Sequence, residues 1–427
     1  MRILIFNVKY SPNLGDGVLA ECLEKALARH LPTAEVETID LAGRTGFAGK
    51  AGRGRLAALN LLSALPRGCK RAVVKTALTR KLDRLETEWA GRIRSADAIV
   101  IGGGNLFQDD DLNFPLKIAA LLRAIGDSGK PVAVAGVGVT AAWSPAARRL
   151  FAGLLQKNLV FTWVRDERSA DNWRRHFGLD AAVYPDPGVA AQGLLDCDPV
   201  ADGSIGVGVT HPSVLRRHAS GDARSIPLRT ASHYADLCTE LARRGQRIRL
   251  FTNGAVEDRM FLGKVMRLPA MKELYEARIL SEARAPTSPY DLIDVIVSHP
   301  VIASHRLHAS IVAHSFGRGH VGLAWDSKVQ SFYAAIGRRD FFVARAIGPA
   351  DLARLLTDAR QQDGASRGAR LRTSRQVYEA IGAMSDRLMQ KDPHIFDGPA
   401  ARGFLTGRAG ADLRARSGDI AYDGHDI

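Results

Sequence analysis

The side chains best suited to chemistry are concentrated where a short apolar run meets the helix that follows it. Val301–Ala303 is typical of a buried strand, and the apolar spacing over Leu307–Ser315 predicts a helix. Arg306 and His308 therefore lie beside the free N–H groups and the positive end of a helix dipole. Arg306 offers a planar fork for a carboxylate or phosphate, His308 exchanges protons near neutral pH, and Lys328 follows one strand and one turn later. We expect this region to bind an anionic small molecule.

A second motif, Asn13-Leu14-Gly15-Asp16-Gly17, follows the first predicted strand, Arg2–Phe6. Ligands bind at this carboxyl edge in open α/β sheets, which makes Asn13, Gly15 and Asp16 candidate site residues. Asp16 has two interpretations. It accepts a proton from a hydroxyl group, or it is the N-cap of a helix predicted to begin at Val18.

A glycine-rich motif follows a later apolar strand, Ala98–Ile101. Glycine lets the backbone approach a ligand closely, so Gly103, Gly104 and Asn105 are candidate binding residues. The motif has neither the Gly-Lys-Ser/Thr of a phosphate-binding Walker loop nor the pattern G-x-G-x-x-G. Asp109 is a further candidate, and its alternative interpretation is an exposed loop acid.

Two other strand ends carry weaker signals. Gly136–Ala141 fits G-x-G-x-x-A, but it lies in mid-domain and no acid ends the next strand before Asp166, which disfavours nicotinamide binding. Arg165 and Arg168 flank the acidic pair in Val164–Ser169, at the predicted edge of a cleft. They are candidate anion ligands, and the alternative is a surface ion-pair cluster of little energetic value.

Four of these motifs, in this order, resemble those of the polysaccharide pyruvyl transferases. The matching blocks are Asn13-Leu14-Gly15-Asp16, Ile101-Gly102-Gly103-Gly104-Asn105, Val164-Arg165-Asp166-Glu167-Arg168-Ser169, and Arg306-Leu307-His308-Ala309 with Asp326-x-Lys328. The resemblance covers roughly residues 1–340 and departs from the family at Arg318-Gly319-His320, where an apolar residue and Pro are usual. It implies transfer of pyruvate from phosphoenolpyruvate to a sugar as a cyclic ketal, during synthesis of an exopolysaccharide or cell-wall polysaccharide.

The resemblance also suggests roles for the candidate residues. Arg306 would bind one anionic group of phosphoenolpyruvate, and Lys328 with Arg165 or Arg168 would bind the other. Leu307 adjoins the donor, His308 is the proton donor or base, and Asp16 faces the acceptor. Two rival functions remain: a GT-B nucleotide-sugar glycosyltransferase, and a non-enzymatic, membrane-associated scaffold.

Strand-like runs alternate with helical patterns, which predicts parallel sheets covered on both faces. We expect an α/β protein with two doubly wound, Rossmann-like domains that face a cleft, as in GT-B enzymes. The first domain is predicted at 1–190 on the acceptor side, and the second, donor-binding domain at 204–390. Pro185–Gly203 is interpreted as a linker that buries little, and 398–427 as a flexible tail.

The net charge of +14 is concentrated in a basic insertion at residues 42–94, which holds 13 Lys or Arg and three acids. It includes an apolar stretch, Leu56–Leu62. A basic segment with an apolar face is suited to an anionic membrane surface or a phosphorylated acceptor, and the alternative is a solvated helical face. No nucleic-acid fold motif accompanies it, so we expect no nucleic-acid partner.

The remaining composition indicates an ordinary cytoplasmic protein, peripheral at most to the inner face of the membrane. No apolar run approaches the length of a membrane span, and the chain opens on a strand without a signal-peptide pattern. Cys22, Cys69, Cys197 and Cys238 lack metal or redox spacing and are expected to be reduced packing thiols. We expect neither a metal nor a cofactor, with phosphoenolpyruvate as the donor substrate and a saccharide, lipid-linked in one version, as the acceptor.

Overall fold

Two parallel β-sheets form the framework of the protein. The computed structural model describes residues 1–47, 67–197, 201–217, 222–362 and 367–390. Within these ranges each sheet contains six strands, all parallel, in the orders β2-β1-β3-β4-β5-β6 and β12-β11-β10-β7-β8-β9. The strands are β1 (Arg2–Asn7), β2 (Glu35–Asp40), β3 (Ala98–Phe107), β4 (Val132–Val139), β5 (Leu159–Val164), β6 (Ala182–Val183), β7 (Ile205–Gly208), β8 (Ile248–Phe251), β9 (Leu280–Glu282), β10 (Val301–Ser304), β11 (Gly319–Leu323) and β12 (Phe342–Val343).

Helices connect successive strands and cover both faces of each sheet. They are α1 (Leu14–His30), α2 (Arg67–Arg94), α3 (Asn113–Ile125), α4 (Pro145–Ala152), α5 (Glu167–Phe177), α6 (Ala191–Leu194), α7 (Pro212–Arg217), α8 (Ala231–Arg243), α9 (Val256–Val265), α10 (Pro269–Glu276), α11 (Pro289–Val297), α12 (Leu307–Ser315), α13 (Ser327–Ala335), α14 (Pro349–Gln361) and α15 (Arg367–Met389). The predicted α/β class with two doubly wound halves is confirmed.

The strand orders place two of the predicted motifs at topological switch points. In the first sheet the order reverses between β1 and β3, and in the second between β7 and β10. A crevice opens outside the carboxyl ends of parallel strands where the order reverses. The motif after β1, which contains Asp16, and the motif after β10, which contains Arg306 and His308, both lie at such positions.

Alternate residues of the first sheet pack into two different cores. Leu4 and Phe6 of β1 face an outer core that includes Trp89 of α2, whereas Ile3 and Ile5 face an inner core. The inner core continues without interruption into the second half of the chain. The two halves are therefore joined by apolar packing as well as by the chain.

The last helix lies against the first sheet. Val377, Ile381 and Met384 of α15 are buried in the inner core, and α15 contacts β4, β5 and α1. The chain thus returns to its first half after completing the second sheet. The domain bounds 1–190 and 204–390 stay a prediction.

The expectation that Pro185–Gly203 buries little is wrong. Pro187–Ala190 forms a short 3-10 helix that continues into α6, and Val189, Ala190 and Leu194 are buried. Proline and glycine in this segment shape a tight, buried turn. The stretch Leu56–Leu62 and the tail 398–427 lie outside the described residues. The sequence patterns did not predict the elements α6, α7, α10, β9, α11 and β12.

Candidate active site

The amino ends of α1 and α12 meet between the two halves of the molecule. The predicted helix Leu307–Ser315 is confirmed, with Arg306 in extended conformation at its N-cap. The predicted start of the first helix at Val18 is wrong, because α1 begins at Leu14 with Asn13 at the N-cap. Asp16 therefore lies inside the first turn, and its interpretation as the N-cap is wrong as well.

His308 contacts the Asn13–Gly17 motif directly. Its Nδ1 lies 3.7 Å from Oδ1 of Asp16 and 3.5 Å from Nδ2 of Asn13. The Asn13 amide also lies 3.4 Å from Oδ2 of Asp16. A Cβ atom at Gly15 would lie 2.3 Å from Nδ1 of His308, so only glycine permits this approach. Two motifs about 290 residues apart in the sequence thus form one constellation.

The surroundings of His308 and Asp16 favour the neutral form of each. Burial raises the pKa of the Asp16 carboxyl, and a hydrogen bond with Ser11 and nearby cations oppose that rise. Burial, followed by the positive charges of Arg165 and Lys328, lowers the pKa of His308 well below its ordinary value. The imidazole is therefore neutral near pH 7 as long as no anion is bound nearby.

Arg306 does not present a free fork, which corrects the sequence interpretation. Its Nε and Nη2 donate to Oδ2 of Asp258 at 3.1 and 2.6 Å, and the other oxygen of Asp258 accepts the His211 N–H at 2.8 Å. Burial lowers the pKa of Arg306, but the ion pair with Asp258 outweighs it and leaves the pKa raised. Within the described ranges Nη1 makes no hydrogen bond, so this edge remains for a ligand.

Arg165 is brought to the same junction from β5. Its side chain is 5% exposed, and its Nη2 donates to Oδ1 of Asn105 at 3.4 Å. Longer contacts join Nε to Oδ2 of Asp166 at 3.6 Å and Nη1 to Oδ2 of Asp186 at 3.8 Å. A Cβ at Gly138 would lie 2.5 Å from Nη2 of Arg165. Gly138, a glycine of the G-x-G-x-x-A pattern, therefore leaves space for this guanidinium.

The glycine-rich motif lies within β3, not in a loop after it. Gly103 and Gly104 have φ values of +82° and +84°, which favour glycine. A Cβ at Gly104 would lie 3.7 Å from Oδ1 of Asp16, so the backbone here adjoins the constellation. Asp109 has a structural role: its two oxygens accept the N–H groups of Leu112 and Ser144 at 3.1 and 2.8 Å.

A cavity of about 940 Å³ opens beside this junction, between the two halves. Its wall includes the candidates Arg165, Arg168, Leu307 and Lys328. Arg168 is exposed, and Nζ of Lys328 pairs with Oδ2 of Asp326 at 3.0 Å. The cavity is thus lined by cations from both halves. Asp186 also lines it, and no sequence motif had pointed to that residue.

Two of the three residues at which the chain departs from the family, Gly319 and His320, begin β11 of the second sheet. His320 is buried in β11, with its Nδ1 2.7 Å from the hydroxyl of Tyr333. That hydroxyl donates to Oγ of Ser310 on α12 at 3.2 Å. Tyr333 therefore joins α13, which carries Lys328, both to this unusual histidine and to the helix that carries His308.

The comparison with protein families agrees with these motifs. The model of the polysaccharide pyruvyl transferase family matches residues 13–327. The chain belongs to this family. The matched range begins at Asn13 and includes Gly104, Arg165 and His308, so it contains both sides of the constellation.

Similar solved structures were found for this pyruvyl transferase family member, whereas curated protein sequences gave no match. The UDP-GlcNAc 2-epimerase of Methanocaldococcus jannaschii is 9% identical with a TM-score of 0.49, over 84% of this chain and 92% of that one. The UDP-GlcNAc 2-epimerase of Neisseria meningitidis is 11% identical with a TM-score of 0.46, over 91% and 100%. The ADP-heptose LPS heptosyltransferase II of E. coli is 14% identical with a TM-score of 0.40, over 85% and 100%. Likenesses of this degree identify no substrate.

In the part of this family member that the structure describes, no group of three or more His, Cys, Asp or Glu side chains is arranged to hold a metal ion. No helix within the same ranges is long and apolar enough to cross a membrane.

Proposed function

We propose that the protein transfers pyruvate from phosphoenolpyruvate to a saccharide as a cyclic ketal, in the synthesis of an exopolysaccharide or cell-wall polysaccharide. The observation that carries this proposal is the contact of His308 with Asp16 beside a cavity lined by Arg165 and Lys328. Membership of the pyruvyl transferase family supports the reaction type. The arrangement provides proton-exchanging groups and cations at one place, which a carboxylate- and phosphate-bearing donor requires.

The donor binds among cations from both halves. Arg165 and Lys328 line the cavity and bind the phosphate and carboxylate of the donor. Arg306 lies beside the cavity wall and contributes the Nη1 edge that Asp258 leaves open. This assigns Arg306 a share of donor binding, in place of the two-pronged fork expected from the sequence. Fixed cations in a site shielded from water stabilise charge far better than solvent does.

Protons move through His308 and Asp16. Burial lowers the pKa of His308 most, and the charges of Arg165, Lys328 and Arg306 lower it further. An anion among these cations offsets the second contribution and raises the pKa, which favours proton uptake by the imidazole when the donor binds. His308 then protonates the methylene carbon of phosphoenolpyruvate, and the adjacent carbon becomes electrophilic. A sugar hydroxyl adds to that carbon and transfers its proton to Asp16. Phosphate leaves, a second hydroxyl of the same sugar adds, and its proton leaves with the phosphate.

Calorimetric titration tests donor identity. Phosphoenolpyruvate should bind, and UDP-N-acetylglucosamine and ADP-heptose should not bind at the same concentrations. The variant Arg165→Gln should bind phosphoenolpyruvate at least roughly 10-fold more weakly, because a charged hydrogen bond is lost from a buried site. Binding of a nucleotide sugar without binding of phosphoenolpyruvate would favour a glycosyltransferase and overturn the proposal.

We also propose that the protein acts in the cytoplasm and meets a lipid-linked acceptor at the inner face of the membrane. The support is the excess of Lys and Arg over acids in the basic insertion, whose described helix α2 packs through Leu82, Leu85 and Trp89. Each surface cation near an anionic membrane contributes about 1 kcal/mol. Co-sedimentation with anionic vesicles at low salt, lost at high salt and absent with neutral vesicles, is expected. Equal sedimentation with both lipids, or none with either, would leave this insertion as solvated surface.

A further inference from the structure

A buried turn packs between the two helices that carry the proposed proton-exchanging groups. Asp186 is the N-cap of the 3-10 helix Pro187–Ala190, and its Oδ1 accepts the Gly188 N–H at 3.1 Å. A Cβ at Gly188 would lie 2.7 Å from Cδ2 of Leu19 on α1 and 2.9 Å from Cγ2 of Ile311 on α12. The turn is therefore wedged between α1 and α12, which fixes Asp186 at the wall of the cavity.

The second oxygen of Asp186 is held only loosely. The residue is 4% exposed, and its Oδ2 has no hydrogen-bond partner among the described residues. The nearest cationic atom is Nη1 of Arg165 at 3.8 Å, too long for a hydrogen bond. Arg165 itself is held by contacts of 3.4 Å or more. A buried carboxylate thus balances the charge of a buried arginine without a short bond between them.

We propose that Asp186 is the resident counterion of Arg165, and that it takes up a proton when an anion binds beside Arg165. This inference rests on the proposed function, which places the donor at Arg165. Without an anion, the Asp186 carboxylate neutralises the guanidinium. A bound anion repels that carboxylate and favours its protonation. Once Asp186 is neutral, the anion compensates the positive charge of Arg165 in its place. Loss of the proton then helps the phosphate product to leave.

The titration behaviour of Asp186 fits this exchange. Burial raises the pKa of Asp186 to about 6, against the opposing charge of Arg165 and the Gly188 N–H. Asp16 and Asp166 also face it and raise the pKa further. Cys22 of α1 is a further titratable neighbour, and its own raised pKa keeps it neutral. A bound anion adds negative charge nearby, so it raises the pKa of Asp186 from about 6 toward 7.

Sulfate is a suitable probe because its charge is constant between pH 5 and 8. Its affinity for the wild-type protein should rise as the pH falls through about 6, since Asp186 becomes protonated. Asp186→Asn should bind sulfate roughly 10-fold more tightly at pH 8, because it removes a buried negative charge near the anion. Calorimetry in buffers of different ionisation enthalpy measures the proton uptake on sulfate binding. The same variant should lose the part that Asp186 contributes, while the part that His308 contributes remains. Asp180→Asn, which breaks an exposed pair with Arg174, is the matched control and should resemble wild type.

Each result decides the inference. Equal sulfate affinity and equal proton uptake in wild type and Asp186→Asn would overturn it, as would the absence of sulfate binding by the wild-type protein. Weaker sulfate binding together with a lower melting temperature would assign Asp186 a purely structural role. Asp186→Ser replaces Asp186→Asn if the latter does not fold. If phosphoenolpyruvate fails to bind while sulfate behaves as expected, the proposed donor is wrong and the counterion inference stands.

Discussion

The two halves of the molecule each contribute one arginine to the junction, and the two arginines are held very differently. In the second half, Arg306 donates two hydrogen bonds of 3.1 and 2.6 Å to Asp258, which also binds the His211 N–H. In the first half, Arg165 lies 3.8 Å from Asp186, whose Oδ2 has no hydrogen-bond partner in the described part of the chain. The first pair fixes the side chain of Arg306, whereas the second leaves the guanidinium of Arg165 able to bind a ligand. An arginine in a family motif therefore says little about its role until its partner is known.

The largest effect is expected from breaking the tight pair. Asp258→Asn leaves Arg306 buried with an uncompensated charge, and loss of one partner of a buried pair typically costs about 3–5 kcal/mol. Thermal unfolding should show a large decrease in melting temperature at pH 7.5. An unchanged melting temperature would mean that the two arginines are held alike, and the comparison would fail.

Breaking the loose pair of Arg165 and Asp186 should raise the melting temperature, whereas breaking the tight pair lowers it. The pKa of Asp186 rises from 3.8 to about 6 in the folded protein, so folding disfavours its charged form. The fold therefore loses stability as the pH rises from about 4 to 6, by about 3 kcal/mol for two pKa units, and the loss is constant above that. Asp186→Asn should melt higher than wild type at pH 7.5, with a difference that vanishes near pH 4. A variant that melts lower at pH 7.5 would contradict this.

A substitution at His308, where the two halves meet, distinguishes an effect on turnover from an effect on donor binding. His308→Gln keeps a hydrogen-bonding side chain but removes the proton-exchanging group, so turnover should fall roughly 100-fold. Affinity for phosphoenolpyruvate, measured by calorimetry, should stay within a few-fold of wild type because the cations remain. Near wild-type turnover in this variant would remove His308 from the mechanism.

The smallest effect is expected from exchanging each arginine for lysine. Lysine cannot reproduce a planar fork, so Arg165→Lys should weaken phosphoenolpyruvate binding roughly 10-fold. Arg306→Lys should weaken it less, because Asp258 already occupies most of that fork. The reverse order of the two affinities would make Arg306 the main donor ligand and reverse the assignment.

Much of the fold followed from local patterns. The helix Leu307–Ser315 matches its prediction because its apolar spacing and the preceding apolar strand agree. The start of α1 was missed because Gly15 and Gly17 lower helix propensity, yet packing requires both within the helix. A Cβ at Gly17 would lie 2.8 Å from Phe47 and from Pro289, so glycine is selected there by distant residues.

The partners of the two arginines could not be predicted from the sequence, because they too are brought into contact by tertiary packing. Asp258 lies 48 residues before Arg306 in a different helix, and no motif joins the two. Asp186 lies in a segment whose Pro and Gly content indicated an exposed linker, although tertiary packing buries it. Motifs predicted which strand ends meet ligands, and only the packed structure shows which charges are already satisfied.

Transfer of pyruvate from phosphoenolpyruvate is tested most directly by following the carbon atoms of the donor. The protein is incubated with a saccharide extract and phosphoenolpyruvate labelled with carbon-13 at the methylene carbon, and the products are followed by NMR. A labelled methyl signal on a saccharide is expected, with an equal amount of inorganic phosphate, and both should form roughly 100-fold more slowly with His308→Gln. Label that stays on phosphoenolpyruvate, or that appears only in free pyruvate, would contradict it.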